Sequence, residues 1–372
     1  MTSIIYVGMD VHTTNYTLCC YSMEDDRFFA EVQVEPDAKN ILKYLAHIEK
    51  QQSRDCRIVC GYEAGCLGYS LYHQLHAHGI DCVILAPTTM MTKPGKRIKT
   101  DRRDARLISK CLAFHTYSPV YIPTEVDDAV KEYIRMRDDA NSALARVKQQ
   151  IIAFCIRHGK IHDGKSYWTN KHLEWLSSLD LGNKVLSEVL QEYLIRYYQL
   201  REQVDMYDMR INELAQAEPY RQKVEKLGCF RGIAAHTALS FCVEVGDFRR
   251  FATAQQFASY LGLVPGECSS GDKQQYTGIT KAGNSHLRKL LVETAQVFGR
   301  SATKSGKSVA LKERQAKCDS LTVAYADKAN ARLKKKYFKI AMRSKVNIAK
   351  TAVAREMACF IWGMMTDNIS CA

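Results

Sequence analysis

Short apolar runs alternate with amphipathic stretches over the first third of the chain. Three runs rich in β-branched residues come first, and polar segments separate them, so a meander of three strands is predicted. Two further apolar runs follow, each after a segment whose apolar residues have helical spacing. The predicted strands are 3–9, 16–22, 28–34, 57–62 and 82–86, and the predicted helices are 38–50, 67–78 and one that begins near Thr100, whose hydroxyl can cap it. Strands that alternate with helices in this way indicate an α/β sheet.

Apolar positions beyond residue 124 recur at steps of three and four over many turns. This spacing is typical of a coiled-coil seam or of a long helical hairpin, and a polar stretch at 156–186 would connect the two arms. The periodic positions are Val130, Ile134, Leu144, Val147, Ile151 and Phe154 in the first arm and Val189, Tyr193, Tyr197, Leu200, Val204, Tyr207, Ile211 and Leu214 in the second. A helical middle region is therefore predicted.

The chain after Pro219 has a third pattern. It predicts helices at 233–245 and 253–261, then a stretch rich in glycine and serine at 262–285, then basic helical sequence. A length of 372 residues also exceeds that of one ordinary compact domain. We therefore predict an α/β domain, an all-α middle region and a mainly helical C-terminal domain. Their boundaries are 1–123, 124–222 and 223–372.

Composition excludes several classes of protein. With 46% hydrophobic and 25% charged residues, the chain is typical of a folded globular protein. No run approaches the roughly 18 apolar residues that a membrane helix needs, and the start lacks the basic segment and cleavage site of a signal peptide. We therefore expect a cytoplasmic protein with no membrane partner. The 14 cysteines form no C-x-x-C pair with metal-ligand spacing, and we interpret them as reduced core residues.

Positive charge is concentrated in two parts of the chain. The formal net charge is +13, yet residues 1–227 hold 30 basic and 30 acidic side chains, so the whole excess lies in residues 228–372. A basic island at 93–110 holds eight basic residues around only two acidic ones. Such surpluses are typical of proteins that bind polyanions, because neutralised phosphates release condensed counterions. The alternative interpretation is a solvated basic face.

Four carboxylates are candidates for a metal site. Asp10 and Glu63 each follow an apolar strand, and Asp101 and Asp104 are three residues apart on a predicted helix, so both project from one face. Carboxylates delivered by two strand ends and one helix suit a pair of hard divalent cations, which assist phosphoryl displacement when about 3.5–4 Å apart. The alternative is that Asp10 caps a turn and that the two helical acids pair with neighbouring arginines.

A second candidate site lies in the glycine-rich segment at 260–290. Its glycines allow backbone to approach a phosphate closely, and it leads into a helix that carries Arg288 and Lys289. Ser269 or Ser270 is then a candidate nucleophile, favoured by a metal or a nearby cation. On composition alone, a plain serine–glycine surface loop is the simpler interpretation.

Two other features carry less weight. Residues 159–166 match the P-loop pattern G-x-x-x-x-G-K-S, but a P-loop needs a preceding strand, and here the preceding sequence continues a helix. His12 and His286 lie near the two candidate sites in sequence. No histidine pair has zinc spacing, so we interpret both as structural.

Five segments in this order and spacing resemble a known family. They are Y-V-G-M-D-V-H, G-Y-E-A-G, K-T-D-R-R-D-A-R, Y-L-G-L-V-P-G-E-C-S-S-G and G-I-T-K-A-G-N-S-H-L-R. On these residues the chain resembles the DEDD-type insertion-sequence transposases, described as bridge-RNA-guided DNA recombinases, over nearly its whole length. The combination of four acids with a late S-S-G block makes the resemblance specific.

The resemblance implies a fold and a set of catalytic residues. Residues 1–123 look like a RuvC-like, RNase H-type catalytic domain, 124–222 like a coiled-coil dimerisation region, and 223–372 like the transposase domain. The family's metal-binding acids fall on Asp10, Glu63, Asp101 and Asp104, with Mg²⁺ as the cofactor and a pair of ions expected per site. Its serine nucleophile falls on Ser270, with the adjacent Ser269 as the alternative.

The resemblance also implies the partners. They are double-stranded donor and target DNA, and a structured non-coding RNA that pairs with both, bound by homodimers that assemble into a tetramer. The serine would attack a scissile phosphate to form a covalent phosphoserine link, and strand exchange would follow. We predict nucleic-acid contacts at nine basic residues: Lys96, Arg97, Lys99, Arg102, Arg103, Arg106, Lys281, Arg288 and Lys289.

Two rival functions stay open at this point. A metal-dependent junction-resolving nuclease would use the same acids with water as the nucleophile, and a protein–DNA adduct that disappears in Ser270→Ala would argue against it. A non-catalytic nucleic-acid-binding protein would use its acids only to balance the basic island. For that protein, strand cleavage would stay at background in the unmodified chain and in every acid variant.

Overall fold

A computed structural model describes residues 3–51, 56–90, 100–267, 275–300 and 306–369. The chain folds into two compact units, Met1–Ile122 and Pro123–Ala372. Within the described ranges, every helix is too short or too polar to cross a membrane.

A five-stranded mixed sheet forms the centre of the N-terminal unit. Its elements are β1 (Ser3–Val11), β2 (Tyr16–Ser22), β3 (Arg27–Val34), α1 (Ala38–Gln51), β4 (Cys56–Glu63), α2 (Ser70–Ala77), β5 (Asp81–Leu85) and α3 (Asp101–Ala113). The strand order is β3-β2-β1-β4-β5; the first three strands form an antiparallel meander, and β1, β4 and β5 run parallel. The predicted α/β sheet is confirmed. Short polar turns suit the antiparallel pairs, whereas the parallel pairs need helical crossovers.

Alternation along β1 separates the core of this unit into two layers. One face of the strand packs against α1 and α2 through Ile5, Val7 and Met9. Gly8 lies on the opposite face, and a Cβ atom added to it would be 2.0 Å from the backbone oxygen of Ala105 in α3. The lack of a side chain at Gly8 therefore allows α3 to lie directly on β1.

The C-terminal unit is almost entirely helical. Its helices are α4 (Glu125–Arg157), α5 (Asn170–Ser177), α6 (Lys184–Gln216), α7 (Arg221–Gly228), α8 (Ala235–Val245), α9 (Ala254–Tyr260), α10 (Ser285–Ala295), α11 (Val309–Gln315), α12 (Ser320–Ala341) and α13 (Val346–Met365). A two-stranded antiparallel sheet, β6 (Pro265–Glu267) and β7 (Tyr276–Ile279), lies between α9 and α10, where the sequence predicted only a loop. Strands this short show too little alternation to be recognised.

The two longest helices, α4 and α6, form an antiparallel hairpin within the chain. Arg137 of α4 contacts Asp208 near the end of α6, whereas Phe154, further along α4, contacts Tyr193 near the start of α6. Most of the predicted periodic positions lie in the seam, and Val147 among them is fully buried, whereas Val189 of α6 is exposed. Of the two structures that the spacing allowed, the described chain forms the helical hairpin; a coiled coil between chains stays a prediction.

The core of the C-terminal unit holds α8 and α10 in place. Helix α13 packs against α9, α10 and α12, and α8 packs against both arms of the hairpin. Phe241 of α8, Leu291 of α10 and Ile361 of α13 are fully buried in this core. Side chains at the ends of α8 and α10 therefore have well-defined positions.

Two smaller sequence interpretations, the rejected P-loop and the core cysteines, can be compared with the structure. The P-loop match at 159–166 follows α4, which ends at Arg157, so a helix and not a strand precedes it. The interpretation of the cysteines as core residues is correct for Cys20, Cys60 and Cys242, which are buried free thiols, but wrong for Cys66, which is exposed.

Candidate functional site

Asp10 lies near the end of β1, on the sheet face that α3 covers. It is two residues beyond Gly8, so alternation directs both to one face, and 14% of the Asp10 side chain is exposed. Glu63 ends the parallel neighbour β4, directly after Tyr62, which pairs with Met9. Paired residues of parallel strands face the same way, so Glu63 shares the α3 face, where it is exposed.

The first turn of α3 supplies two more carboxylates. The hydroxyl oxygen of Thr100 accepts a hydrogen bond from the backbone N–H of Arg103 and caps the helix, as predicted. Asp101 and Asp104 follow in the first turn, where the helix dipole favours negative charge. Because α3 lies directly on β1, this turn is brought to the strand end that carries Asp10.

Asp10, His12 and Asp101 form a cluster of potential metal ligands. One ligand atom from each residue lies within 4.8 Å of those of the other two. Nε2 of His12 is 3.3 Å from Oδ2 of Asp10, and this buried oxygen has no hydrogen-bond partner of good geometry among the described residues. A buried carboxylate oxygen without a partner is costly unless a cation or a donor reaches it. The cluster therefore fits a divalent cation.

The charges around Asp10 support this interpretation. Burial raises the pKa of the Asp10 carboxyl above its ordinary value; His12 opposes the rise, and the negative charges of Asp104 and Asp101 add to it. Repulsion among neighbouring carboxylates is what a bound divalent cation relieves. Asp104 is outside the three-residue cluster but acts on Asp10 through its charge.

The structure thus brings some of the predicted acids together and adds a histidine. Asp10 and Asp101 share the cluster, Asp104 is its electrostatic neighbour, and Glu63 lies on the same sheet face; their catalytic roles stay predictions. His12 is the residue that sequence reasoning undervalued. Its signal was the D-V-H spacing, since side chains two apart on a strand share one face.

Two arginines of the basic island project from α3 toward β3. Nε of Arg106 is 2.6 Å and Nε of Arg102 is 3.3 Å from the carboxylate of Glu31. The Arg106 guanidinium also lies 5.5 Å from the ring centroid of Phe28. These contacts orient both guanidinium groups while 77% of the Arg102 side chain stays exposed. Arg103 is exposed on the same helix, and the predicted contacts Lys96, Arg97 and Lys99 lie outside the described residues.

Residues 261–283, here called the serine loop, are closed at their base by backbone hydrogen bonds. The N–H of Asn284 donates to the carbonyl of Tyr260 (2.9 Å), and the N–H of Lys281 donates to the carbonyl of Gly262 (3.1 Å). Gly262 has a φ of +64°, and a Cβ atom there would be 2.1 Å from the carbonyl oxygen of Ala282, so the turn requires glycine. The candidate nucleophiles Ser269 and Ser270 lie between β6 and β7, outside the described residues.

The basic residues predicted to contact nucleic acid near this loop have different surroundings. Lys281 and Lys289 are exposed. Nη1 of Arg288 donates to the carbonyls of Leu261 (2.9 Å) and Ala282 (3.0 Å) and so helps to close the loop. Any contact between Arg288 and nucleic acid would therefore use the other N–H groups of its guanidinium.

Two family models match the sequence. One, described as the transposase IS116/IS110/IS902 family, matches residues 225–314. The other, described as a transposase and named for the DEDD transposases of IS110, matches residues 7–156. The first match contains the serine loop, and the second contains all four predicted acids.

Curated relatives are similar over most of the chain. It is 36% identical to the putative transposase y4qE of Sinorhizobium fredii over 307 residues, 82% of this chain and 75% of the relative. It is 32% identical to the transposase for insertion sequence element IS1533 of Leptospira borgpetersenii over 340 residues, 90% of this chain and 95% of the relative. A transposase for IS1111A of Coxiella burnetii is 27% identical over 235 residues, 61% of this chain and 62% of the relative. Similarity of this extent reaches into both compact units.

Proposed function

The chain belongs to the IS116/IS110/IS902 family of insertion-sequence transposases, and from this premise we propose that it is an RNA-guided DNA recombinase that works through a covalent serine–phosphate link. Its substrates are then donor and target DNA, which it cuts and rejoins. The observation that carries the proposal is the Asp10 carboxylate, whose buried Oδ2 lies 3.3 Å from His12 and belongs to a residue that clusters with Asp101 at the start of α3.

We assign a role to each region. A mixed sheet with α3 on one face is compatible with a RuvC-like, RNase H-type catalytic domain at 1–123. The hairpin region at 124–222 is assigned to dimerisation and 223–372 to the transposase domain, with dimers assembling into tetramers. Apolar side chains of α6 that are exposed in the single chain support a dimer surface: Val189, Ile195, Met206 and Met209.

Mg²⁺ is the proposed cofactor, with a pair of ions per site. Asp10 and Asp101 would hold it, with Asp104 and Glu63 as further ligands, because carboxylate oxygens suit Mg²⁺. Bound ions would stabilise charge on the phosphoryl oxygens. His12 offers nitrogen, which suits Mg²⁺ less, so we assign it to orienting the Asp10 carboxylate, 3.3 Å away.

Ser270 is the proposed nucleophile, with Ser269 as the alternative. Its hydroxyl oxygen would bond to the scissile phosphorus while the bond from phosphorus to one DNA oxygen breaks, and that oxygen would leave as a hydroxyl group. The family resemblance of the S-S-G block supports this assignment. Lys281 and Lys289, both exposed, supply positive charge next to the loop for a DNA backbone.

The guide in this proposal is a structured non-coding RNA from the element. It would pair with donor and target DNA, so that base pairing reads the sequence while the protein contacts the backbones. The basic excess in residues 228–372 and the island at 93–110 supply the charge that two nucleic acids require. The protein would act where this DNA lies, in the cytoplasm.

Recombination between two plasmids tests the proposal, one carrying the element's ends and the other a candidate target, with and without the RNA. We expect RNA-dependent product and a protein–DNA adduct from the unmodified protein and neither from Ser270→Ala. Ser269→Ala is the matched control, because it removes the same hydroxyl one position away, and it is expected to keep both.

Other results would identify a different function. An adduct that persists in Ser270→Ala and disappears in Ser269→Ala would move the nucleophile to Ser269. Cleavage without an adduct in any variant would indicate water as the nucleophile and hence a junction-resolving nuclease. Binding without cleavage under any condition would indicate a non-catalytic nucleic-acid-binding protein.

A further inference from the structure

The imidazole of His286 lies between two acidic side chains in the C-terminal unit. Its Nδ1 is 2.5 Å from Oε1 of Glu244, and its Nε2 is 2.8 Å from Oδ2 of Asp138. Only 4% of the Glu244 side chain and 21% of the His286 side chain are exposed. The three residues belong to α10, α8 and α4, so a single ring connects three helices.

Glu244 also binds the base of the serine loop. Its second oxygen, Oε2, accepts a hydrogen bond of 2.5 Å from the side-chain amide of Asn284, and its backbone carbonyl accepts one of 3.3 Å from the hydroxyl of Tyr260. Asn284 and Tyr260 are the two residues whose backbone hydrogen bond closes the loop. Glu244 therefore contacts both chain ends of the loop as well as His286.

Asp138 connects the other side of the ring to the helical hairpin. Nη1 of Arg137 is 3.1 Å from Oδ1 of Asp138, and the same guanidinium donates twice to Asp208 of α6. Nε2 of His236, in the first turn of α8, is 3.0 Å from that Asp138 oxygen. A continuous set of polar contacts thus runs from both arms of the hairpin through His286 to the serine loop.

Two acidic neighbours require two N–H groups on the ring. A neutral imidazole has one N–H and would turn a lone pair toward one carboxylate, whereas the imidazolium donates to both. Burial by itself would lower the pKa of His286, but its hydrogen bonds to Asp138 and Glu244 raise that pKa to about 9. Burial would raise the pKa of Asp138 and of Glu244, yet their hydrogen bonds bring both below their ordinary values. The ring is therefore charged at neutral pH.

We propose that His286 is a positioning residue for serine attack, holding the base of the serine loop to the helical hairpin through its two acidic partners. The inference rests on the proposed function, because it gives His286 a part in that reaction without contact to DNA. When the two chain ends of a loop are held in place, a nucleophile on that loop loses less orientational freedom as it attacks. A well-oriented nucleophile reacts faster.

The contact to both acids depends on pH in a defined direction. Charged and titratable groups from every neighbouring element surround the ring and its acidic partners: Arg135 and Arg137 on α4, Asp208 on α6, His236 on α8, Tyr260 on α9, and Lys289 and Glu293 on α10. Asp138 and Glu244 stay ionised from neutral to alkaline pH, because the pKa of each is lowered. The arrangement is therefore complete below the ordinary histidine pKa of 6.5 and is lost as the pH rises through about 9.

Hydrogen exchange of backbone amides tests this role without DNA. In His286→Gln at pH 7, we expect the amides of Lys281 and Asn284, which close the loop, to exchange about tenfold faster than in the unmodified protein. His158→Gln removes an exposed histidine just beyond α4 and is the matched control, expected to leave both rates unchanged. Unaltered exchange of both amides in His286→Gln overturns the proposal.

A pH profile and a double variant separate positioning from general structural support. The adduct yield of the unmodified protein is expected to fall as the pH passes about 9, although a free serine hydroxyl becomes more reactive as pH rises. His286→Gln is expected to lower the yield about tenfold at pH 7. Combining it with Glu244→Gln replaces the ionic contact between these two side chains by an amide hydrogen bond that does not titrate. We expect the double variant to recover part of the yield and to show no alkaline fall.

Amide exchange and adduct yield together distinguish failure of the proposed function from failure of the proposed role of His286. If the unmodified protein forms no adduct, the proposed function fails, and amide exchange alone decides whether His286 holds the loop. If the adduct forms and His286→Gln matches the unmodified protein in both yield and pH profile, the proposed function stands and the role of His286 is refuted.

Discussion

At the scale of the residue, the candidate metal site depends on the negative charge of Asp10, which burial and the neighbouring acidic residues disfavour. Burial raises the pKa of Asp10, the charges of Asp104 and Asp101 add to this, and His12 opposes it only in part. Buried carboxylates with raised pKa values are more common at functional sites than elsewhere, because the chemistry requires a charge that folding disfavours. The environment of Asp10 therefore agrees with a cation site better than with a turn cap.

Asp10→Asn tests this directly. We expect it to raise the melting temperature in EDTA at pH 7, because it removes a buried charge whose ionisation the fold disfavours. We also expect it to abolish stabilisation by Mg²⁺, which should be about 2.7 kcal/mol for the unmodified protein at an ion concentration of 100 Kd. Scanning calorimetry with EDTA and with Mg²⁺ measures both effects.

Glu49→Gln is the control for that measurement. It neutralises an exposed carboxylate on α1 and should leave both the melting temperature in EDTA and the Mg²⁺ effect unchanged. Equal stabilisation of Asp10→Asn and the unmodified protein by Mg²⁺ would show that the ion is held elsewhere.

At the scale of the element, the contact between the sheet and α3 decides whether the acids meet. Gly8 of β1 pairs with Gly61 of β4, so two glycines are adjacent on the face that α3 covers. A Cβ atom at Gly8 would be 2.0 Å from the backbone of α3, and one at Gly61 would be 2.8 Å from the side chain of Leu112. The helix backbone can lie this close only because Gly8 lacks a side chain, and Gly61 leaves room for the side chain of Leu112.

Gly8→Ala is therefore expected to move α3 away from β1. The overpacking should lower the free energy of unfolding by about 1–3 kcal/mol, measured by urea denaturation. Because Asp101 moves with the helix, Mg²⁺ should also stabilise the variant less than the unmodified protein.

The matched control at this scale is Gly65→Ala. A Cβ atom there would be 3.8 Å from its nearest neighbour, so its effect should stay within about 0.5 kcal/mol. Equal stability of Gly8→Ala and Gly65→Ala would show that the closeness of α3 to β1 does not depend on glycine.

At the scale of the whole molecule, charge is distributed unevenly. The net charge of +13 comes from residues 228–372, and basic and acidic residues balance in the rest. An excess of this kind attracts nucleic acid of any sequence, because the binding energy comes largely from counterion release. Sequence discrimination then has to come from another source, which the proposal assigns to base pairing with the RNA.

The salt dependence of the affinity for DNA measures how many phosphates the protein contacts. We expect the affinity for double-stranded DNA to fall by about 10³-fold between roughly 50 and 200 mM salt, as for a protein that neutralises about six phosphates. Lys289→Ala should reduce the slope of log affinity against log salt by about one. Fluorescence anisotropy with labelled DNA measures both.

Lys171→Ala removes a comparable exposed lysine from α5, where we predict no DNA contact, and should leave that slope unchanged. An equal slope for Lys289→Ala and the unmodified protein would remove Lys289 from the predicted contacts.

Much of the architecture could be predicted because the signals are local. The apolar runs that predicted β1 to β5 and the periodic positions of α4 and α6 all lie within single elements. Asp10, Glu63, Asp101 and Asp104 could be selected as candidates for the same reason, since each stands at the end or start of an element. The short strands β6 and β7 could not be predicted, because too few residues carry their alternation.

The sequence by itself thus determined the element types, the charge distribution and the identity of the candidate acids, because periodicity and residue type are properties of neighbouring positions. Only the tertiary structure decided which groups meet. It placed Asp101 beside Asp10 and His12, and it placed His286 between Asp138 and Glu244. Such contacts join positions far apart in the chain, and close packing of helices, which no local pattern encodes, sets both their distances and their protonation.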